Sequence, residues 1–226
     1  NSDGNMLVVY RQYAGENTTH GQLGAGYGVV TDGDVQWDVQ YNVNYNGNPP
    51  WGGGGVGYSP DSPTSQARYP SALASEEYPY GIWNEYTGGP PTATPWPSEC
   101  SNYGGRPYFS YDEFGWGGES WLYPVDLDPL YACTKDLWTG SVGYGYDAPN
   151  GEHHVSVVYD DWTRDGNYLF TSEAVDDGYI VLGTETLIVN PNHLGTTGYS
   201  STAILSMNDN GQGLLGIDGI FAGNDM

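Results

Sequence analysis

Carboxylates, indoles and four arginines (Arg11, Arg68, Arg106 and Arg164) are the groups in this chain whose spacing suggests chemistry. Three acidic stretches combine oxygen donors with the glycine turns that a hard cation such as calcium needs. They are "TDGDVQWD" with Asp32, Asp34 and Asp38, "DDWTRDGN" with Asp160, Asp161 and Asp165, and "NDNGQG" with Asn208, Asp209 and Asn210. None ends in the bidentate glutamate of a complete calcium loop, so solvated turns are the plainer reading. A second arrangement is Glu85, Asp161 and Asp218, which close successive apolar runs. If those run ends meet at one mouth, they form a ring of carboxylates, and a carboxylate pair flanking a glycosidic bond is what sugar hydrolysis uses. Trp51, Trp96 and Trp116 lie among Gly and Pro, where an exposed ring could stack on a sugar, although most tryptophans of a β protein are packing.

Other chemistries are excluded by the same inspection. His153 and His154 are adjacent, so on a strand they face opposite sides and cannot share one zinc. No Ser-His-Asp arrangement, phosphate loop or dinucleotide motif is present, and Gly52 to Gly55 lack the strand-then-helix context of a phosphate cradle. With 5 Lys plus Arg against 28 Asp plus Glu, the net charge is -23, which repels nucleic acid and anionic membranes. No apolar run is long enough to insert in a bilayer as a helix. Cys100 and Cys133 are the only cysteines, in a segment dense in Gly, Pro and Trp, and an even count there suits one disulfide and an oxidising, extracellular compartment. Two free thiols are the other reading.

The elements that must position these groups are strands. The 21 Tyr, 8 Trp and 4 Phe argue against disorder, and 35 Gly with 15 Pro interrupt the chain too often for long helices. Short runs mixing aliphatic and aromatic residues recur: "MLVVYRQY" at 6–13, "YGIWNEYT" at 80–87, "HVSVVYDDW" at 154–162 and "LLGIDGIF" at 214–221. Taking Val8, Ile82, Val157 and Ile217 as equivalents, the spacings are 74, 75 and 60 residues. The first three runs are each followed by a pair of strand candidates joined through an acidic, Gly-containing turn, at 26–41, 107–123 and 168–182. Small-residue strands precede the later runs at 68–75, 140–147 and 199–211, and fourth strands are expected at 124–127 and 186–190. A recurring unit of three or four antiparallel strands predicts an all-β fold, a β-propeller or part of one. The approximate units are 1–66, 67–137, 138–198 and an incomplete 199–226.

The acidic turns resemble degenerate Asp-boxes of sialidase-like β-propellers, whose pattern is Ser or Thr, x, Asp, x, Gly, x, Thr, Trp. Thr31 to Trp37 lacks one residue of that pattern, Ser110 to Gly115 has one extra with Trp121 further on, and Asp176 to Tyr179 keeps only the acid and glycine. The stretch "RYPSALA" with "YGIWNEYT" is also similar to secreted and surface-exposed bacterial propellers, including type IX secretion substrates. The resemblance implies that the turn at 31–37 is a fastener, with its acid bonding its own hairpin and Trp37 packed beneath. It also raises an arginine triad and a Tyr-Glu nucleophile pair, but the four arginines fall at different positions in the repeat and are not assigned to that triad.

A period near 70 residues leaves about three and a quarter units, fewer than the roughly four to eight blades of a closed propeller. The expectation is a portion of a larger extracellular protein, and the alternative is a compact propeller closed by its ends. Functionally, the chain reads as a secreted or cell-surface binding or structural module whose partner is a glycan or another surface protein. The rival reading is a sialidase-like glycoside hydrolase.

Overall fold

The structure is a computed structural model, and it describes residues 1, 3–13, 21–40, 43, 68–86, 105–118, 120–122, 124–126, 137–147, 152–161, 166–171, 174–181, 183, 185–189, 204–208 and 210–216. Among these residues there are strands and turns but no helix, so the chain is all-β as the residue pattern predicts. It divides into two compact units, Asn1–Thr134 and Lys135–Met226.

The first unit holds two antiparallel sheets. One is a meander of β1 (Met6–Tyr13), β2 (Gly21–Thr31) and β3 (Asp34–Gln40). The other is a four-stranded meander of β4 (Arg68–Ala74), β5 (Pro79–Tyr86), β6 (Gly105–Tyr111) and β7 (Val125–Asp126). Alternation assigns the faces. Leu7 and Val9 of β1 and Ala25 of β2 turn inward to meet Trp83 of β5 and Tyr108 of β6, with Val43 and Trp121 completing the cluster. Trp83 and Tyr108 oppose each other in the ladder and stack with ring centroids 6.5 Å apart. Their neighbours Tyr80, Ile82, Phe109 and Tyr111 occupy the opposite face and are also buried, so β5 and β6 bury both faces. Burying one such large side chain contributes about 1.5–3 kcal/mol, which makes this sheet the anchor of the unit.

The second unit is built around β8 (Leu137–Asp147), β9 (Glu152–Asp161), β10 (Gly166–Thr171) and β13 (Glu185–Val189), in the order β13-β10-β9-β8. Val155 to Tyr159 of β9 are buried without a break, as a central strand covered on both faces requires. Between β10 and β13 the chain inserts the hairpin of β11 (Ala174–Asp176) and β12 (Tyr179–Val181), which lies against β9. A last hairpin, β14 (Ile204–Met207) with β15 (Gly213–Gly216), lies on β8. Its seat is Gly143: a Cβ there would come within 2.7 Å of Met207 Cγ and Sδ and 3.2 Å of Leu205 Cδ2.

The strands described fall within the aliphatic–aromatic runs, except that the second strand expected in 107–123 is a loop closed by the Asp112–Trp121 bridge, and 217–221 lie outside the described residues. The sheets are open antiparallel meanders.

Candidate functional site

The turn at 31–34 is a two-residue hairpin. Thr31 and Asp34 are paired across it, and both central residues have positive φ, 53° at Asp32 and 85° at Gly33. Those angles define a type I′ turn, whose twist matches the flanking strands and whose preferred residues are Asp-Gly. The same device recurs at Asp177 (φ 45°) and Gly178 (φ 85°) between β11 and β12. At the first turn the expected fastener is not found. Asp32 and Asp34 are exposed, and Trp37 is 54% exposed rather than packed beneath. The register explains this: Trp37 opposes Gly28, on the face turned away from the Ala25 cluster, and its ring lies over that glycine.

The buried carboxylate lies instead in the loop after β6. Asp112 is fully buried and bridges to Trp121 across the loop mouth. Its Oδ1 accepts the Phe114 N–H at 3.1 Å and its Oδ2 accepts the Ser120 N–H at 3.3 Å. The Gly115 N–H bonds the Asp112 carbonyl at 3.1 Å, and Ser110 Oγ donates to the Leu122 carbonyl at 2.6 Å. Positive φ at Gly115 and Gly117, both 79°, lets the loop curl this tightly. Gly118 must also lack a side chain, because a Cβ there would sit 2.4 Å from Asp112 Oδ1. Trp116 is held in this loop, half-buried, with its indole N–H donating to the Ser75 carbonyl at 3.1 Å. Ser75 in turn closes the β4–β5 connection, its Oγ donating to the Tyr78 carbonyl at 2.8 Å and accepting the Tyr78 N–H at 2.9 Å. These bonds are architectural.

The opposite end of the β4–β7 sheet has a different character. The ladder sets Arg68 opposite Asn84, and Asn84 opposite Pro107, with Glu85 opposite Arg106 at the next position. Two of the chain's four arginines, scattered in sequence, are thus brought to one end of one sheet. Residue spacing missed this because the pairing depends on a bulge. Between Arg68 and Ser71 the register of β4 shifts by one residue against β5. Tyr69 sits in that bulge with φ at 50°, a strained value for a bulky L residue, and is 61% exposed. Asn84 beside it is fully buried. Bulges re-aim side chains at sheet edges, and strained backbone concentrates where ligands bind.

The remaining candidates are placed as follows. Glu85 and Asp161 both lie at the C-terminal ends of second strands, β5 and β9, each in its own unit. Asp218, Asp165, Asp209, Trp51, Trp96, Cys100 and Cys133 lie outside the described residues. Asp34 and Asp38 share a side of β3 but are four residues apart, roughly 13 Å along a strand, too far for one cation. Asp38 accepts a bond from Gln40 Nε2 at 2.7 Å. Asp160 is half-buried opposite Trp138 and Asn167. Among the described residues no three His, Cys, Asp or Glu side chains group as metal ligands. A tyrosine–glutamate pair does exist: Tyr159 Oη donates to Glu185 Oε2 across β10. Tyr159 is only 2% exposed, so this bond ties strands together inside the unit.

No protein-family model matches the chain, and no curated protein matches it. Among solved structures it is similar to a mutant of Trypanosoma rangeli sialidase displaying trans-sialidase activity, at 16% identity and a TM-score of 0.42, over 90% of this chain and 30% of that one. The chain therefore spans less than a third of the length of that structure.

Proposed function

We propose that the chain is part of a β-propeller of a secreted or cell-surface protein, and that it works as a binding module for an acidic glycan. The ligand end is that of Arg68, Tyr69, Asn84, Glu85 and Arg106. The meander order of the sheets and the face-to-face packing of the first two support the propeller architecture. The observation that carries the binding reading is Tyr69, an exposed ring on strained backbone next to Arg68. An exposed aromatic ring at a sheet end that also carries arginine positions suits a sugar bearing a carboxylate, the ring stacking and a cation pairing. In a chain of net charge -23, an anionic ligand needs cations, and two of the four arginine positions fall at this end of the ladder.

The test is Tyr69→Gly. Relief of the left-handed strain should stabilise the chain by about 1 kcal/mol. Calorimetric titration with sialyllactose and with a uronate oligosaccharide should lose binding, with neutral lactose as the control. Unchanged affinity would remove Tyr69 from the site and this reading with it.

A second reading, a sialidase-like glycoside hydrolase, draws on the ladder position of Glu85, opposite Arg106 at that same end. It requires turnover of an aryl sialoside that Glu85→Gln abolishes. Binding without turnover leaves the module reading alone.

A further inference from the structure

Arg11, which is not among the ligand-end residues named above, reaches the same end of the first unit from the neighbouring sheet. The direction of β1 fixes this. Asn1 Nδ2 donates to the Ser75 carbonyl at 3.1 Å, so the segment leading into β1 is tied beside the end of β4. β1 then runs along β4 toward the end where β4 begins with Arg68. Three of the chain's four arginines therefore gather at one end of this unit. The exposed acids Asp3, Asp32, Asp34, Glu76, Glu77 and Glu113 stand at the other. That segregation draws an anion toward the arginine end.

The arginines are spread over two sides of the β4–β7 sheet. Arg11 has the parity of Leu7 and Val9, the residues that meet Trp83 and Tyr108, so it belongs to the mouth between the two sheets, where it is exposed. The Glu85–Arg106 rung continues the parity of Trp83 and Tyr108, which places the Arg106 position at the same mouth. Arg68 pairs with Asn84, whose side of the ladder is that of Tyr80 and Ile82, the far side. Facing sheets pack about 10 Å apart, and here the β4–β7 sheet itself stands between Arg11 and Arg68. Such a register distributes positive charge and does not focus it on one carboxylate.

We infer that this end holds an acidic polysaccharide chain with carboxylates on successive sugars, laid across the sheet end from the Arg11 mouth to the Arg68 side. The inference rests on the binding reading above and sharpens its ligand from one acidic sugar to a polyuronate. Tyr69 on the bulge is the platform for one sugar, and Arg11 takes the carboxylate of another. A chain that meets both makes the second contact intramolecularly, which multiplies its affinity.

The experiment titrates the full chain by calorimetry with the dimer and the octamer of galacturonate, affinity being compared per sugar. The octamer is expected to bind about tenfold more tightly per sugar than the dimer. Arg11→Ala, at an exposed position and confirmed folded by circular dichroism, should bring the octamer down to the dimer's affinity, and Arg11→Lys should restore part of the gain. Equal affinity per sugar at the two lengths would overturn the inference, as would an octamer gain that survives Arg11→Ala. A dimer weakened by Arg11→Ala as much as the octamer would mean that the arginines meet on one sugar, which overturns it too. Binding of sialyllactose alone would overturn the polyuronate and leave the binding reading standing. Binding of none of the three would remove that reading, and this inference with it.

Discussion

The turns at 31–34 and 112–121 start from similar residues, an acid close to glycine after a β-strand, and reach opposite environments. At 31–34 the chain reverses in two residues, and backbone geometry does all the work: both central φ values are positive and the carboxylates stand in solvent. At 112–121 the reversal takes a longer loop, and the carboxylate does the work the backbone cannot, satisfying two N–H groups from inside the fold. A short turn is held by its conformational preference. A long one must be held by bonds, and those bonds are worth more because they are buried.

That contrast can be broken by substitution. Asp112→Ala strands two amide donors and leaves a void, and should cost about 3 kcal/mol in urea denaturation; a loss below 1 kcal/mol would mean the loop re-forms its bonds with water. Gly118→Ala places a methyl 2.4 Å from the same carboxylate, and about 2 kcal/mol is expected from overpacking. Combined with Asp112→Ala, its cost should shrink in part, since the oxygen it strikes is gone while Phe114 Cβ at 2.6 Å remains; strict additivity would show the two groups act separately. Gly33→Ala meets nothing within 4 Å, so only the left-handed backbone is penalised, about 1 kcal/mol by thermal melting. Asp32→Asn changes an exposed residue that keeps its tolerance of positive φ, and its melting curve should overlay the parent within about 0.5 kcal/mol. A large effect of Asp32→Asn would erase the distinction between the two turns.

The strands were legible because aliphatic and aromatic residues alternate between Gly, Pro and Asp, and those signals are local. The hairpin at Asp32-Gly33 was legible for the same reason. Which acidic turn hides its carboxylate was not. The answer depends on Gly118 approaching Asp112 and on Trp116 reaching Ser75, a contact 41 residues away in the chain. Trp37 was expected beneath its turn from the likeness to an Asp-box, but its parity opposite Gly28 sends it outward. The convergence of Arg68 and Arg106 rests on long-range register plus one extra residue in β4, and neither leaves a mark in the spacing of arginines.

The extra residue at the Arg68–Ser71 bulge bears on how this protein can change over evolutionary time. From Ser71 to Ala74, β4 keeps a regular ladder with β5, and that half of the strand answers to the buried core. Beyond the bulge the strand's phase is reset, so Arg68 and Tyr69 can vary in type and direction without passing their alternation on to Leu73. A lineage could therefore exchange the side chains at the sheet end while inheriting the same interior, with the kink insulating the two halves from each other.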